Sequence, residues 1–446
     1  MPFLNDQNRM WQEKARQVAE KVVRPLAKKY DDLQEYPWEI KDALAEAGFF
    51  SVWIPKEYGG AGGTVLDLCL VIEQLSRACG GVGVMYCVNA LGSFPILVGA
   101  TEEQKKRWLP KIASGEKLIA FCLSEKFAGS DAASLRLDAK PAGDGWVLNG
   151  EKKWTTNGGA ADLYTVFAVS DPASKSRRIS AFLVEKGTPG FTVGKVEDKM
   201  GIRCVPVVET HFKDVRVETA HLLGGQPGFG FHHAMGTLDL ARPGVAAQGL
   251  GLAQGALEYA MVYSARRQQF GQSINSFQMI QQLLSDMATQ IEAARQLVYA
   301  SATALDKKLP TANKMAAMAK LYATETAMKV TTDAVQVFGG YGFMRDYPIE
   351  KYMRDAKITQ IYEGTNQVQR MVVARNLVKE TAALTQLLEA YIPREVQKGY
   401  NDPATVEAQK LAAASAESSA AAGANLSTEG GEVKAKDPKL SAVRGA

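Results

Sequence analysis

The hydrophobic period of the sequence changes twice, and this constrains the fold more than any other feature. From Leu4 to about Ser114, apolar residues recur at steps of three and four, which is typical of amphipathic helices. Around Ile119 the apolar segments become short, β-branched or aromatic and partly alternating, with turn residues between them, which favours strands. From Met235 to about Glu389 the helical period returns. The order of helices, strands and helices predicts an α+β fold.

These changes also predict the domain boundaries. We expect an N-terminal helical domain over residues 1–117, a middle antiparallel β-domain over 118–234 and a C-terminal helical domain over 235–395. Residues 396–446 are rich in Ala, Ser and Gly, carry balanced charge and lack an apolar stripe. We therefore expect this last segment to be a disordered or loosely attached tail.

Length and charge exclude some classes of protein. A chain of 446 residues is too long for one ordinary core and predicts two or three packed subdomains. The hydrophobic fraction of 46% and charged fraction of 22% are typical of a soluble globular protein. The net charge of +4 is small for this length, and there is no dense Lys/Arg block, so nucleic acid is not an expected partner.

The cysteines and the N-terminal segment bear on the cellular compartment. The cysteine count is odd, no C-x-x-C spacing occurs, and most of these residues have apolar neighbours: Cys69, Cys79, Cys87, Cys122 and Cys204. This pattern predicts reduced, buried thiols in a cytosol-like compartment. The first residues lack the layout of a signal peptide, and the longest apolar runs are interrupted well short of a membrane span. We expect a soluble cytoplasmic protein without membrane insertion.

Two common ligand sites are not predicted. No G-x-G-x-x-G follows a strand, which argues against a Rossmann-type nucleotide site. His232 and His233 are adjacent but lack further ligands at zinc-like spacing, so no metal site is expected. The segment from Gly80 to Ala100 carries no charge and predicts a buried helix.

The segment IYEGTNQVQR, Ile361–Arg370, contains the strongest catalytic candidate. Its carboxylate, Glu363, is followed by Gly364 and Thr365, where a helix is expected to break, so the side chain can point into a cleft. A carboxylate in such a place is suited to act as a general base. On spacing alone, a solvated loop glutamate is the competing interpretation.

Five further strings accompany this segment in a fixed order. They are FCLSEKFAGSD at Phe121–Asp131, KKWTTNGG at Lys152–Gly159, LDLARPGVAA at Leu238–Ala247, RRQQFGQ at Arg266–Gln272 and QVFGGYGF at Gln336–Phe343. Together the six strings resemble the acyl-CoA dehydrogenase family, in particular its short- and medium-chain members, from about Leu4 to about Glu380. The resemblance implies two helical domains, the second resembling a four-helix bundle, on either side of a β-barrel or sandwich.

The resemblance also implies an activity. It predicts α,β-desaturation of an acyl-CoA thioester in fatty acid β-oxidation, with Glu363 as the base that removes the α-proton and FAD as the hydride acceptor. The implied partners are an acyl-CoA, electron transfer flavoprotein as electron acceptor, and further copies of the chain in a homotetramer. The uncharged segment from Gly80 would then supply an apolar wall for the acyl chain.

Individual site residues follow by matching the family's motifs. The implied FAD contacts are Phe121, Leu123, Ser124, Ser130, Trp154, Thr156, Arg267, Phe270, Ile274, Gln278, Gln336, Gly340, Thr365 and Gln367. The implied substrate contacts are Ser130, Asp239, Arg242 and Gly364. For Trp154 the competing interpretation is a simple core residue, and for Arg242 it is a surface helix arginine.

The chain departs from the family pattern at several positions. Lys126 and Phe127 follow Glu125 where many relatives have a proline, Cys204 and Val205 replace small polar residues, and Gln269 stands where Thr is common. Relatives that act on dicarboxylic acyl groups usually carry an arginine on the helix lining the acyl pocket, near the place where this chain has Val82. An uncharged acyl chain is therefore expected, which is short to medium and straight, branched or cyclic. An acyl-CoA oxidase, an enoyl-CoA reductase and a non-catalytic binding protein of the same fold remain alternatives.

Overall fold

The computed structural model describes residues 4–388 together with Tyr391 and Glu407. Residues 1–376 form one compact unit, and residues from 377 onward belong to a second. Within the second unit the described residues are the helical segment up to Leu388, Tyr391 and Glu407. The tail predicted over 396–446 lies outside the described residues, apart from Glu407.

The first part of the chain is helical, as the period predicts. Between residues 4 and 116 the α-helices are α1 (Asp6–Val18), α2 (Arg24–Leu33), α3 (Trp38–Glu46), α4 (Val65–Ala78), α5 (Gly80–Gly99) and α6 (Glu102–Ala113). One turn of π-helix, Ala19–Val23, joins α1 to α2. Reciprocal side-chain caps begin α1 at Asn5, α4 at Thr64 and α6 at Thr101, because each of these side chains satisfies an otherwise unpaired backbone N–H.

Helix α5 is the uncharged segment, and it lies in the core. By length and composition it is the one described helix that could cross a membrane, which differs from the expectation that no apolar run is long enough. However, 89% of its apolar window is buried inside the protein. Val82, for example, has no exposed surface. The predicted buried helix is confirmed.

The middle of the chain forms one seven-stranded sheet in the described residues. Its strands are β1 (Ile119–Cys122), β2 (Asp138–Ala142), β3 (Gly145–Thr156), β4 (Leu163–Val169), β5 (Ile179–Glu185), β6 (Phe191–Val196) and β7 (Val207–Glu218). Their order is β1-β4-β2-β3-β7-β6, and β5 also pairs with β4. The sequence pattern gives little indication of strand β6, because four of its six residues are exposed.

Most neighbouring strands are antiparallel, but β1 runs parallel to β4, and β2 meets the end of β4 in a parallel pair. Parallel neighbours need a long crossover connection, and between β1 and β4 the β2–β3 hairpin supplies it. The sheet is therefore mixed, where sequence alternation alone predicted an antiparallel one. Alternation reports which face of a strand is buried and carries no information on strand direction.

Helices return at Gly230. They are α7 (Gly230–Arg266), α8 (Gln278–Asp306), α9 (Ala312–Phe338), α10 (Ile349–Thr359) and α11 (Asn366–Leu388). A short hairpin, β8 (Gln268–Gln269) with β9 (Gln272–Ser273), follows α7. Small residues let α7 approach its neighbours closely: a Cβ on Gly249 would lie 3.1 Å from the Ala323 oxygen on α9, and one on Gly251 would lie 2.3 Å from the Glu73 oxygen on α4. This close packing brings side chains of α7 and α9 toward the loop between α10 and α11.

Candidate active site

The loop between α10 and α11 carries Glu363, as predicted. Two consecutive residues have positive φ, +52° at Glu363 and +89° at Gly364, so the chain turns sharply here. The Glu363 residue is half-buried, but its Oε2 atom is screened from solvent and has no hydrogen-bond partner among the described residues. Its backbone N–H likewise has no acceptor in the described part of the chain. The loop therefore presents a carboxylate oxygen and a backbone N–H, neither of which has a hydrogen-bond partner in the described residues.

Hydrogen bonds fix this loop from both ends. The Gln360 oxygen accepts from the Asn366 N–H at 3.0 Å, and the Gly364 oxygen accepts from Gln369 Nε2 at 2.9 Å. Thr365 Oγ1 accepts from the N–H of Val368 at 3.2 Å and caps α11. These hydrogen bonds hold the backbone from which the Glu363 side chain projects.

Two buried cations interact with the Glu363 carboxylate. Lys320 on α9 has no exposed surface, and Arg242 on α7 is 7% exposed. Burial raises the pKa of Glu363 to about 7, and the charges of Lys320 and Arg242 oppose that rise. Burial also lowers the pKa of Lys320 to about 7, which Glu363 opposes in turn. The carboxylate is thus poised to gain or lose a proton near neutral pH.

The burial of Arg242 excludes the surface-arginine interpretation. Its Nη1 donates to Asp239 Oδ1 at 2.5 Å, and Asn313 Nδ2 donates to the same oxygen at 2.7 Å. The Arg242 Nε atom is buried without a partner in the described structure. Asp239 and Arg242 therefore lie together, with one donor unsatisfied; their contact with substrate stays a prediction.

A second group of predicted residues meets at the sheet. The N–H of Lys153 donates to the Ser124 oxygen at 2.9 Å, which joins the loop after β1 to strand β3. Next along β3, Trp154 has a φ of +59° and is 50% exposed. The core interpretation of Trp154 is therefore wrong, since a large aromatic face is turned outward on a strained backbone. A flat ligand could stack on this face.

A buried ion pair supports the loop after β1. Lys152 has no exposed surface and donates to Glu125 Oε1 at 2.7 Å and to the Leu123 oxygen at 3.0 Å. The Glu125 carboxylate also accepts from the N–H groups of Arg136 and Leu137 at 2.7 and 2.9 Å. Neighbouring Lys126 is exposed, and its ammonium lies 5.4 Å from the centre of the Phe127 ring. The solvated interpretation of Lys126 fits this position.

A third group lines an open cavity of about 520 Å³. Its wall includes Arg267, Ile274 and Gly340, all three predicted FAD contacts, together with Gln269 and Gly339. The Arg267 guanidinium stacks on the Tyr341 ring at 5.4 Å. A Cβ on Gly339 or Gly340 would meet no atom within 4 Å, so the backbone here is open to a ligand. This wall combines a cation with accessible backbone, which suits a phosphate.

The remaining predicted residues are placed as follows. Phe121 is half-buried on β1, Leu123 is buried, Ser130 is exposed, and Thr156 is half-buried at the end of β3. Phe270 is 92% exposed in the β8–β9 hairpin. Gln278, Gln336 and Gln367 are exposed on α8, α9 and α11 and do not line the cavity. Their roles as ligand contacts stay predictions.

Sequence reasoning missed Lys320. A signal was present, because Lys320 falls at helical spacing from Ala316, Ala323 and Ala327, which are all fully buried. A lysine on an apolar stripe is unusual unless it is paired.

These groups fit a flavin dinucleotide. The exposed Trp154 face offers a stacking surface for a planar ring, and the cavity near Arg267 offers charge and open backbone for a diphosphate. The unpaired Glu363 oxygen offers a base. Among the described residues no group of three or more His, Cys, Asp or Glu could hold a metal ion. Fold and site together define a flavin-dependent oxidoreductase.

The comparisons with known proteins identify the family. Models of the N-terminal, middle and C-terminal domains of acyl-CoA dehydrogenases match residues 5–116, 120–215 and 228–378. The chain belongs to the acyl-CoA dehydrogenase family, whose enzymes are FAD-dependent oxidoreductases. The predicted fold class and cofactor are confirmed at this level.

Three relatives illustrate the similarity. An acyl-CoA dehydrogenase of Bacillus subtilis is 45% identical over 373 residues, 83% of this chain and 98% of the relative. The solved structure of butyryl-CoA dehydrogenase from Megasphaera elsdenii is 44% identical with a TM-score of 0.82, covering 84% of this chain and 99% of that one. A chain solved in work on the electron transferring flavoprotein of Acidaminococcus fermentans is 48% identical with a TM-score of 0.83 and the same coverage.

Proposed function

We propose that this chain desaturates an uncharged acyl-CoA between its α and β carbons, with Glu363 as the base that removes the α-proton. The observation that carries the proposal is the unpaired, solvent-screened Oε2 atom of Glu363 on a loop held by hydrogen bonds. A carboxylate whose pKa is raised to about 7 is a stronger base than a solvated one, and about half of it is still ionised at pH 7.

The α-proton becomes acidic enough to remove only if the thioester oxygen is stabilised as negative charge develops on it. The unpaired N–H of Glu363 is a suitable donor, since no acceptor among the described residues competes for it. A donor of this kind typically contributes about 3–4 kcal/mol to the transition state. Base and oxyanion donor then come from the same residue, which fixes their separation.

FAD, when bound, would supply the hydride acceptor that no side chain can provide. Ser124 and Trp154 would hold the flavin ring, and Arg267 with Gly340 would hold the diphosphate. The remaining residues of the site would hold the Glu363 base, exclude water and keep the acyl chain between Glu363 and the flavin ring.

The acyl chain is proposed to be uncharged and short. Helix α5 carries no charge from Gly80 to Gly99, and Val82 is fully buried, so a dicarboxylic acyl group would find no counter-ion on this helix. The similarity to butyryl-CoA dehydrogenase from Megasphaera elsdenii favours a short straight chain.

The electron acceptor is proposed to be electron transfer flavoprotein. The similar chain solved in work on the electron transferring flavoprotein of Acidaminococcus fermentans supports this acceptor. Delivery of electrons to oxygen would instead make the protein an oxidase. The two are separated by following reoxidation of the reduced protein, anaerobically with electron transfer flavoprotein and separately with dissolved oxygen.

Assembly is proposed to complete the flavin site in a homotetramer. Large apolar side chains near the cavity are exposed in the single chain: Phe270 at 92%, Phe343 at 80%, Met344 at 47% and Tyr341 at 46%. Exposed apolar side chains beside the cavity that is lined by Arg267 and Gly340 favour burial of this surface against a second copy of the chain. Sedimentation of the flavin-loaded protein should therefore give a mass of four chains, and a monomer of unchanged activity would remove this part of the proposal.

The substitution Glu363→Gln tests the base. It preserves size and removes the proton acceptor, so we expect flavin content and acyl-CoA affinity to be kept while turnover falls by at least about a thousandfold. Glu116→Gln, at an exposed position, is the matched control and should leave turnover unchanged. Flavin bleaching by butyryl-CoA under anaerobic conditions is the readout. Normal bleaching by the Glu363→Gln protein would remove Glu363 from this role.

A further inference from the structure

Lys320 is a second charged group at the proposed base that the family resemblance did not assign. It lies in the middle of α9 on the buried face and has no exposed surface. A fully buried lysine costs several kcal/mol unless hydrogen bonds and an opposite charge compensate it. Its surroundings show where that compensation comes from.

Its ammonium is joined to the loop of the proposed base. Lys320 Nζ donates to Asn366 Oδ1 at 2.9 Å, and Thr324 Oγ1, one helical turn along α9, donates to the same oxygen at 3.0 Å. Asn366 is the first residue of α11 and lies three residues after Glu363. Its own N–H closes the loop onto the Gln360 oxygen at 3.0 Å. Lys320 and Thr324 of α9 therefore both hold the end of the Glu363 loop at Asn366.

The opposite charge comes from Glu363. It is the acidic group that acts on Lys320, and Lys320 is in turn the strongest cationic influence on Glu363. The other groups facing the carboxylate are Arg242 from α7, whose charge is shared with Asp239, and the thiol of Cys87 from α5. Tyr362 of the same loop donates to Gln248. Lys320 has no carboxylate partner of its own in the described residues, so its charge, when it is protonated, acts on the Glu363 carboxylate.

We propose that Lys320 is a positioning residue for the base, which anchors the Glu363 loop through Asn366 and places a buried positive charge opposite the Glu363 carboxylate. This inference rests on the proposed function, since it concerns the ionisation of the proposed base. Loss of the charge destabilises the ionised form of Glu363 only, so the pKa of Glu363 rises. The rising limb of the pH–rate profile must then move to higher pH.

Lys320→Met tests this, because methionine keeps most of the volume and removes both charge and donor. We expect the apparent pKa of the rising limb of kcat/KM to increase by about one unit or more, which gives roughly a tenfold loss of rate below that limb and recovery above it. Lys320→Arg keeps the charge and should restore the profile substantially. Flavin content is measured alongside, so that a loss of cofactor is not mistaken for a loss of base.

Lys329→Met is the matched control. Lys329 lies on the same helix, pairs with Asp333 at 2.5 Å and has a half-exposed side chain, so the same substitution there should leave the profile unchanged. An unshifted limb in Lys320→Met, or a rate reduced by one factor at every pH, would overturn the inference and leave a structural role only.

If the Lys320→Met protein does not fold, the Asn366→Asp protein tests the inference instead. The added carboxylate competes with Glu363 for the Lys320 charge and should shift the limb in the same direction, whereas an unshifted limb overturns the inference. The Glu363→Gln protein separates a failure of the proposed function from a failure of the inference about Lys320. If it still turns over, the proposed function fails; if it is inactive while the Lys320→Met profile is unshifted, only the inference about Lys320 fails.

Discussion

The buried pair of Lys152 and Glu125 gives a stability prediction that can be worked through in numbers. Lys152 has no exposed surface, and burial lowers its pKa from 10.5 to about 8 although Glu125 opposes the shift. At pH 7 the native protein therefore holds a charged lysine at a cost of about 3 kcal/mol, from 1.36 kcal/mol per unit of pKa shift. Glu125→Gln removes the opposing charge while keeping the shape.

In the variant the lysine becomes neutral in the folded state once its pKa falls below 7. The total cost of neutralising it at pH 7 cannot exceed about 5 kcal/mol, since its pKa in the unfolded chain is 10.5. Loss of the Glu125 charge therefore lowers the free energy of unfolding by no more than about 1.5 kcal/mol, since the native protein already bears a cost of about 3 kcal/mol. A glutamine at position 125 also accepts more weakly than a carboxylate from the N–H groups of Arg136 and Leu137, which adds about 1 kcal/mol to the loss of stability. We expect a loss of about 2–3 kcal/mol at pH 7.

The pH dependence has a definite sign. A lysine with a lowered folded pKa binds fewer protons when folded than when unfolded, so stability rises with pH between its folded pKa and 10.5. In the native protein that rise begins near pH 8, and in Glu125→Gln it begins lower. The difference between the two proteins should therefore shrink by about 1 kcal/mol between pH 7 and pH 9.

Urea unfolding followed by tryptophan fluorescence at the two pH values measures this difference. The double variant Glu125→Gln/Lys152→Met is the control, because it has no buried amine and its own stability should lack the rise with pH that Lys152 gives the other two proteins. A deficit of Glu125→Gln that is equal at pH 7 and pH 9, or larger at pH 9, would refute the reasoning.

Two further outcomes are expected. Val82→Arg places an unpaired charge at a fully buried position on the uncharged helix α5 and should lower the yield of folded protein severely. The control Val196→Arg, at a position that is 58% exposed, should not lower the yield. Equal yields of the two proteins would contradict the burial argument. Arg267→Ala removes the cation of the open cavity and should weaken FAD binding about tenfold or more in a flavin titration, whereas Arg345→Ala, with a side chain 60% exposed, should leave FAD affinity unchanged.

The sequence by itself determined the order of the elements and the nature of the site. The two changes of hydrophobic period predicted helices, then strands, then helices, because a helix and a strand bury their apolar residues at different spacings. Gly364 and Thr365 predicted the break that carries Glu363, since glycine permits the positive φ that the turn requires. The uncharged segment from Gly80 predicted a buried helix.

Only the tertiary structure decided which groups surround the base. Sequence spacing does not reveal that Lys320 and Arg242, 78 residues apart, both act on the Glu363 carboxylate, because that depends on α7 and α9 packing closely through small residues. Nor does it reveal that β1 lies parallel to β4, since alternation specifies a face and not a direction. The charge state of Glu363 depends on burial and on charges brought from distant parts of the chain. Those long-range contacts exist only once the chain is folded.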